Sequence, residues 1–311
     1  MSIIELETRL LLALQQPLLA YCDIEKFRQK MATSFQQARI NQSSRSNITL
    51  PYSAFFLGAQ SATPGMAFLS GYQAALRCLD PQCPNDQFAA FCVSEKGIKK
   101  PWDMQTQLRL VESDWFLSGR KGFVMLLPNV IDKLYVVAKL DDGSLSCVRL
   151  SSDSVGLSVA ESLNAPFIKD IPHAGIIFDQ VVIEEGDILT KDAHEQANKP
   201  FRYWEDVHVT VAMAGWMLRN LSENSKIETF KSQLIELICQ LIEKFEEQPE
   251  YYSLKGLNIL DECHQCLEKL SLDLPKSALQ VWKIDRLLLQ MGYKIRCKIR
   301  LKLAKEAPPY I

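Results

Sequence analysis

Trp115-Phe116-Leu117-Ser118-Gly119-Arg120-Lys121-Gly122-Phe123-Val124 is the stretch on which the fold turns. Ser118-Gly119-Arg120-Lys121 reads as a turn, and Phe123–Leu127 after it is apolar throughout, as a strand would be. Moving outward, Leu134–Leu140 and Leu145–Leu150 flank Asp141-Asp142-Gly143-Ser144. Asp-Gly between two apolar runs predicts a hairpin on a type I′ turn, which needs positive φ at both central residues. Phe91–Val93 is a short apolar run before this region, Leu108, Leu110, Trp115 and Leu117 stand among polar neighbours, and Ala174–Phe178 and Val181–Ile183 follow as further short strands. Together they predict an antiparallel β-domain spanning 91–190.

The texture on both sides is helical. Leu10, Leu11, Leu14, Leu18 and Leu19 stand at helical spacing within 1–36, and Asn41–Asn47 reads as a polar loop. Thr63–Leu79 predicts a buried helix, with Pro64 in its first turn and Asp80-Pro81 as its stop. Beyond Gly186 and a polar linker, Glu205–Leu221, Lys226–Glu247, Leu254–Leu270 and Pro275–Met291 carry i, i+3, i+4 apolar spacing and suggest an antiparallel bundle. Tyr293–Leu303 alternates apolar and basic residues, a period of two that favours a strand. The expected organisation is α+β and multidomain: a helical domain over 1–90, the β-domain over 91–190, and a helical bundle over 191–311.

Composition narrows the function classes. The 311 residues carry a net charge of -2, so no global field points to nucleic acid. No apolar run approaches the ~20 residues that cross a bilayer, and Glu5 and Glu7 do not fit a basic leader, so a cytoplasmic location is expected. Nine cysteines suit reduced thiols, and the single CxxC, Cys263-His264-Gln265-Cys266, lacks a matching second pair for structural zinc. No metal site is expected. Phosphate-loop, zinc-protease and serine-hydrolase motifs are also absent.

Three segments, in order, resemble the acyl-CoA dehydrogenase family. Phe91-Cys92-Val93-Ser94-Glu95 is similar to the family's aromatic-x-V-T-E strand, which lies along the flavin ring. Trp115–Val124 resembles its x-x-L-x-G-x-K-x-W/F-I strand pair. Gly175-Ile176-Ile177-Phe178-Asp179-Gln180-Val181-Val182-Ile183 looks like its closing V-F-D-D-V-x-V-P strand. Gly71–Leu76 and Lys199-Pro200-Phe201-Arg202 are similar to segments of a short bacterial branch. The resemblance implies FAD as cofactor, an acyl-CoA or related thioester as substrate, an electron-transfer acceptor as partner, a place in fatty acid metabolism and a homodimer. It sets Phe91, Val93, Ser94, Phe123, Val124 and Met125 against the isoalloxazine.

The same resemblance exposes departures. The family's Gly-Ser-Asp phosphate loop is replaced by Lys96-Gly97-Ile98-Lys99-Lys100-Pro101-Trp102-Asp103. Its W-I-T triplet, whose threonine bonds near flavin N5, becomes Phe123-Val124-Met125, and methionine cannot donate that bond. Arg286–Lys305 contains no acid, so the late catalytic glutamate is missing, and no R-x-x-F-G segment occurs between Asn220 and Lys231. Glu205 and Asp206, at the start of the first helix after the β-domain, are the candidate bases. Acids in a first helical turn also stabilise the helix dipole, so a structural role stands beside the catalytic one.

His173, in Ile171-Pro172-His173, is a candidate for contact with substrate, as carbonyl polariser or acid/base, against a structural bond in a turn. His208 reads as a satisfied, partly buried group, and His194 and His264 show no special pattern. The cations Lys294, Arg296, Lys298, Arg300, Lys302 and Lys305 read as a solvated basic face, with Glu243, Glu246, Glu247 and Glu250 as partners. Two functions follow: an FAD-dependent oxidoreductase of the CH–CH bond of acyl thioesters with a degenerate site, or a non-catalytic paralogue serving as a binding or scaffold protein.

Overall fold

The computed structural model describes residues 3–17, 24–44, 49–125, 130–221, 227–249 and 251–306. Two compact units emerge: Met1–Ala75 with Arg202–Ile311, and Leu76–Phe201.

The first unit is helical. α1 (Ile3–Leu14) buries Leu6 and Leu10 and lies against α3 (Leu50–Ala59) and α6 (Glu228–Glu247). α2 (Ile24–Ser44) runs on through Asn41–Ser44, where a loop was expected; Leu18, Leu19 and 45–47 lie outside the described residues. α3 escapes periodicity because nearly every face is buried, so no polar stripe marks it. α5 (Lys199–Asn220) crosses α3 with backbone nearly touching backbone. A Cβ on Gly215 would stand 2.6 Å from the Phe55 carbonyl oxygen. α7 (Leu254–Leu270) starts on Ser253, whose hydroxyl accepts from the Gly256 amide, and packs on α6. The expected Pro275–Met291 helix is two, α8 (Lys276–Asp285) and α9 (Leu287–Met291). Trp216 and Trp282 stack at 5.9 Å inside this unit.

The tail corrects the reading of its alternating pattern: Tyr293–Glu306 is α10, a helix. Its cations also choose other partners. Arg296 is buried against Asp206, Arg300 pairs with Asp261 at 2.6 Å, and Lys302 approaches Glu306. Glu247 pairs with Lys244, and Glu250 lies outside the described residues.

The second unit takes in the end of α4 (Pro64–Leu79), a helix of the expected extent, and an eight-stranded sheet. The strands are β1 (Phe88–Cys92), β2 (Gln107–Val111), β3 (Asp114–Met125), β4 (Ile131–Lys139), β5 (Leu145–Ser151), β6 (Leu157–Leu163), β7 (His173–Ile183) and β8 (Ile188–Thr190). They pair in the order β6-β7-β3-β2-β4-β5-β8, with β1 also on β4. The sheet is therefore mixed, not wholly antiparallel. β1 and β2 both meet β4 in parallel, because the β2–β3 excursion acts as the crossover that parallel pairing requires.

Two local expectations change with it. Ser118–Lys121 is not a turn: β3 runs straight through, bulged against β7 and bent at Gly119, whose φ of 138° and close approach to Thr106 exclude a side chain. Ala174–Phe178 and Val181–Ile183 are likewise one strand, bulged where Gln180 takes a φ of 51°. The Asp-Gly hairpin forms between β4 and β5 but not on a type I′ turn. Only Gly143 has positive φ; its amide donates to Leu140, and the Leu140 amide donates to Ser144. This is a type I turn closed by a glycine bulge, held by the Asp142 carboxylate on the Ser144 amide and hydroxyl.

Candidate functional site

The centre of the sheet unit is built on a buried ion pair. Lys121 sits mid-β3 with no exposed side-chain surface and donates to the Glu95 carboxylate at 2.7 Å. Glu95 also accepts from the amides of Gln105 at 2.7 Å and Thr106 at 3.1 Å. Burial alone would raise this carboxyl; the Lys121 ammonium and the two amides outweigh it and hold it below its ordinary value. Lys121 also reaches the Val93 carbonyl at 3.3 Å, and the Ser94 carbonyl accepts from the Gly122 amide at 2.8 Å. The extended segment after β1 is thereby fastened along β3, one residue short of Phe123.

Phe123 is the strained member. Its φ of 57° is an outlier for a bulky residue, of a kind that concentrates at ligand sites. The left-handed turn resets the strand alternation, so Val124 and Met125 are both buried while the Phe123 ring stays 42% exposed. That ring contacts Phe167 at 5.8 Å and the His173 imidazole at 4.7 Å between centroids. His173 stands directly across from Met125 in the β3–β7 register. It is buried, and burial lowers its basicity against the opposing influence of the Ile171 carbonyl. Its Nδ1 is closed off from solvent.

Of the sequence-nominated residues, Val93, Ser94, Phe123, Val124, Met125 and His173 thus lie along one stretch of the sheet unit. Val93 is half-buried and Ser94 exposed. Phe91, on the same side of its strand as Val93, packs against Phe201 with the rings tilted at 47° and 4.5 Å between centroids. The role of Lys121 as the clip of Glu95 was missed. No local signal marked it, because Ser118-Gly119-Arg120-Lys121 reads as a turn.

Glu205 and Asp206 lie in the helical unit and are sorted by their surroundings. α5 begins at Lys199, after a wide turn over His194–Asn198, so neither residue is in a first helical turn. The dipole explanation for them falls away with that boundary. Asp206 accepts from Arg296 at 2.9 Å and from the Tyr252 hydroxyl. Arg296, 1% exposed, also donates to the Leu289 carbonyl at 2.7 Å and meets the His264 Nδ1 at 3.5 Å. His264 Nε2 is 3.0 Å from the Thr210 hydroxyl, and burial beside Arg296 pushes this imidazole down to about 3. His264, Arg296 and Tyr252 make up a network the sequence did not mark. His208 is satisfied by the Trp204 carbonyl at 2.6 Å, and burial holds it down at about 4.

Glu205 makes no hydrogen bond or ion pair among the described residues. Its carboxyl is enclosed by protein even though part of the residue meets solvent. That burial, reinforced by the neighbouring Asp206 charge and only partly offset by Arg202, raises it to about 7. Two adjacent carboxylates therefore differ: one neutralised by arginine, one poised near neutrality.

Among the described residues no three His, Cys, Asp or Glu side chains converge as a metal site, and no helix is long and apolar enough to cross a membrane. No protein-family model and no curated protein matches the sequence. Solved structures do. The butyryl-CoA dehydrogenase of Megasphaera elsdenii superposes with a TM-score of 0.66 at 12% identity, over 89% of each chain. PigA in its FAD complex gives 0.66 at 15% identity, over 97% of this chain and 93% of that one. A glutaryl-CoA dehydrogenase from Mycobacterium smegmatis with FADH2 gives 0.64 at 11%, over 99% and 96%. The chain has the acyl-CoA dehydrogenase fold. On that fold the three resembling segments are β1 with its extension, β3 and β7, and the last two are paired neighbours in one sheet.

Proposed function

We propose that this chain is an FAD-binding oxidoreductase acting on the CH–CH bond of an acyl-CoA or related thioester, with the flavin carried by the 91–190 segment. The observation that carries the reading is the exposed Phe123 ring, held in a left-handed conformation beside the fastened Val93–Ser94 segment. A flat ring system stacks on such an exposed aromatic face, and the Ser94 hydroxyl is a polar group at its margin. When bound, FAD would supply hydride acceptance.

The residues of the chain then divide the remaining work. Glu205 is the base: unpaired and raised to about 7, it takes up an acidic α-proton near neutral pH. Asp206 is a positioning residue, already committed to Arg296 and Tyr252. Phe91, Val93, Val124 and Met125 supply apolar surface around the ring, and His173 borders the substrate side. Lys96, Lys99 and Lys100 offer positive charge to phosphates where the glycine-serine loop is missing. A homodimer, a cytoplasmic location and an electron-transfer acceptor belong to the same proposal, on likeness of fold alone.

A second reading, a non-catalytic binding or scaffold protein, is favoured by Met125 and by the absence of an acid in Arg286–Lys305. One experiment separates the two. The purified chain is mixed with FAD, desalted and examined for flavin absorption, then for bleaching by acyl-CoA. Retained colour that bleaches supports the oxidoreductase. A protein that takes up no FAD at high concentration refutes it, and retained colour without bleaching leaves the binding role.

A further inference from the structure

α10 sorts its basic residues by kind. Arg296 is buried against Asp206 at 2.9 Å, and Arg300 turns to Asp261 at 2.6 Å, so both arginines fasten the helix to its own unit. Lys294, Lys298, Lys302 and Lys305 stay outside, all exposed. Their spacing of i, i+4, i+8 and i+11 sets them along one side of the helix, in a row of about 16 Å.

Little negative charge answers this row. Arg286–Lys305 contains no acid, Glu268 is taken by Arg286 and Asp261 by Arg300, and Lys302 alone approaches Glu306 at 3.8 Å. Lys294, Lys298 and Lys305 make no ion pair among the described residues. Apolar side chains stand bare beside them: Leu301, within the row, is 64% exposed, and Met291, just before the helix, 62%. We infer that the outer face of α10 docks on a membrane surface rich in anionic phospholipid. The four lysines meet headgroup phosphates, and Leu301 and Met291 enter the boundary between headgroups and acyl chains. No described helix can cross a bilayer, so this contact is peripheral. The whole chain carries a net charge of -2, which confines the attraction to this face and orients the protein on the surface. The inference does not depend on the flavin reading.

Two other occupants fit the face less well. A second copy docked about a two-fold axis would set lysines against lysines, with only Glu306, already beside Lys302, to answer them. Nucleic acid is met by arginines and by stacked aromatic rings; here the arginines are committed inward, and aliphatic side chains stand among the lysines.

The test sediments the full chain with vesicles of phosphatidylcholine alone and of phosphatidylcholine mixed with phosphatidylglycerol. Wild type binds the mixed vesicles, stays in solution with the neutral ones, and is released in about 1 M salt, where screening shortens to about 3 Å. Substituting Lys294, Lys298 and Lys305 together by glutamine weakens binding about a hundredfold, whereas arginine at the same three positions retains it. Leu301→Ser weakens it about tenfold. Circular dichroism checks the fold of each variant, and the Arg296 and Arg300 anchors are left untouched. Equal binding to neutral vesicles, wild-type binding by the glutamine variant, or loss in the arginine variant overturns the inference. A short DNA duplex bound more tightly than the vesicles at the same salt, and lost in the glutamine variant, gives the face to nucleic acid instead. A dimer in analytical ultracentrifugation that Leu301→Ser dissociates gives it to a second copy, and either result overturns the assignment to lipid.

Discussion

Replacing Lys121 with methionine removes one half of a buried ion pair and leaves the other half in place. Lys121 has 0% and Glu95 6% of its side chain exposed, and their contact is 2.7 Å. Breaking such a pair from one side costs about 3–5 kcal/mol, because a charge is stranded away from water. Glu95 retains the Gln105 and Thr106 amides, so the lower end, about 3 kcal/mol, is expected. Removing both charges as Lys121→Met with Glu95→Gln leaves a neutral acceptor for the same amides, and the loss shrinks to about 1 kcal/mol. Glu95→Gln alone strands the Lys121 ammonium at a similar cost of about 3 kcal/mol, so the cycle closes with a coupling of about 5 kcal/mol. Two compact units need not unfold together, so the assay is hydrogen exchange of the β1–β3 amides, which reports local opening. Acid sharpens the contrast. The lowered Glu95 contributes stability above its unfolded value of 4.5 and loses it as pH falls through its folded value. Without Lys121 the folded value rises, so the protection of these amides fades at higher pH than in wild type. A Lys121→Met protein protected to within about 0.5 kcal/mol of wild type, or a coupling near zero, would refute the argument. The Val93–Ser94 segment would then be held by its backbone bonds alone.

Three further substitutions, all in the helical unit, have expected outcomes. Glu205→Gln is expected to abolish bleaching of the FAD-loaded protein by acyl-CoA, whereas the wild-type rate climbs as pH rises through about 7 and the base ionises. The raised carboxyl also contributes stability below 4.5 that is lost as pH climbs through 7, so Glu205→Gln flattens the melting temperature across that window. Asp206→Asn does the reverse: it strands the buried Arg296 charge and lowers the melting temperature at neutral pH, and equal effects of the two substitutions would remove the distinction drawn between them. Gly215→Ala places a methyl 2.6 Å from the Phe55 carbonyl oxygen and 2.9 Å from the Ala59 amide nitrogen, so α3 and α5 must separate. A loss of about 1–3 kcal/mol in denaturant unfolding is expected, and a stability equal to wild type would contradict the close crossing.

Much of the architecture was written in local pattern. α7 begins and ends where i, i+3, i+4 spacing placed it, α4 stops at Asp80-Pro81, and β4 and β5 meet around Asp-Gly. These features depend on neighbours a few residues apart, which periodicity and turn residues record directly. The order of the three resembling segments carried the fold for the same reason, since each is a strand with its own local signature.

What the tertiary structure alone decided lies at long separation. The period-two tail reads locally as a strand, yet α10 is a helix that buries Arg296 against Asp206, ninety residues earlier. That one contact commits Asp206 to structure and leaves Glu205 unpaired, a division that two adjacent acids in a sequence do not announce. Lys121 and Glu95 lie twenty-six residues apart and look like two stray charges until β3 and the segment after β1 come together. The parallel pairing of β1 with β4, and the facing of Met125 and His173, are matters of register between distant strands. Side-chain pattern records which face of an element is apolar. It does not record which distant charge or strand that face will meet, because the electrostatic and hydrogen-bonding terms take their values only once folding has excluded water between the partners.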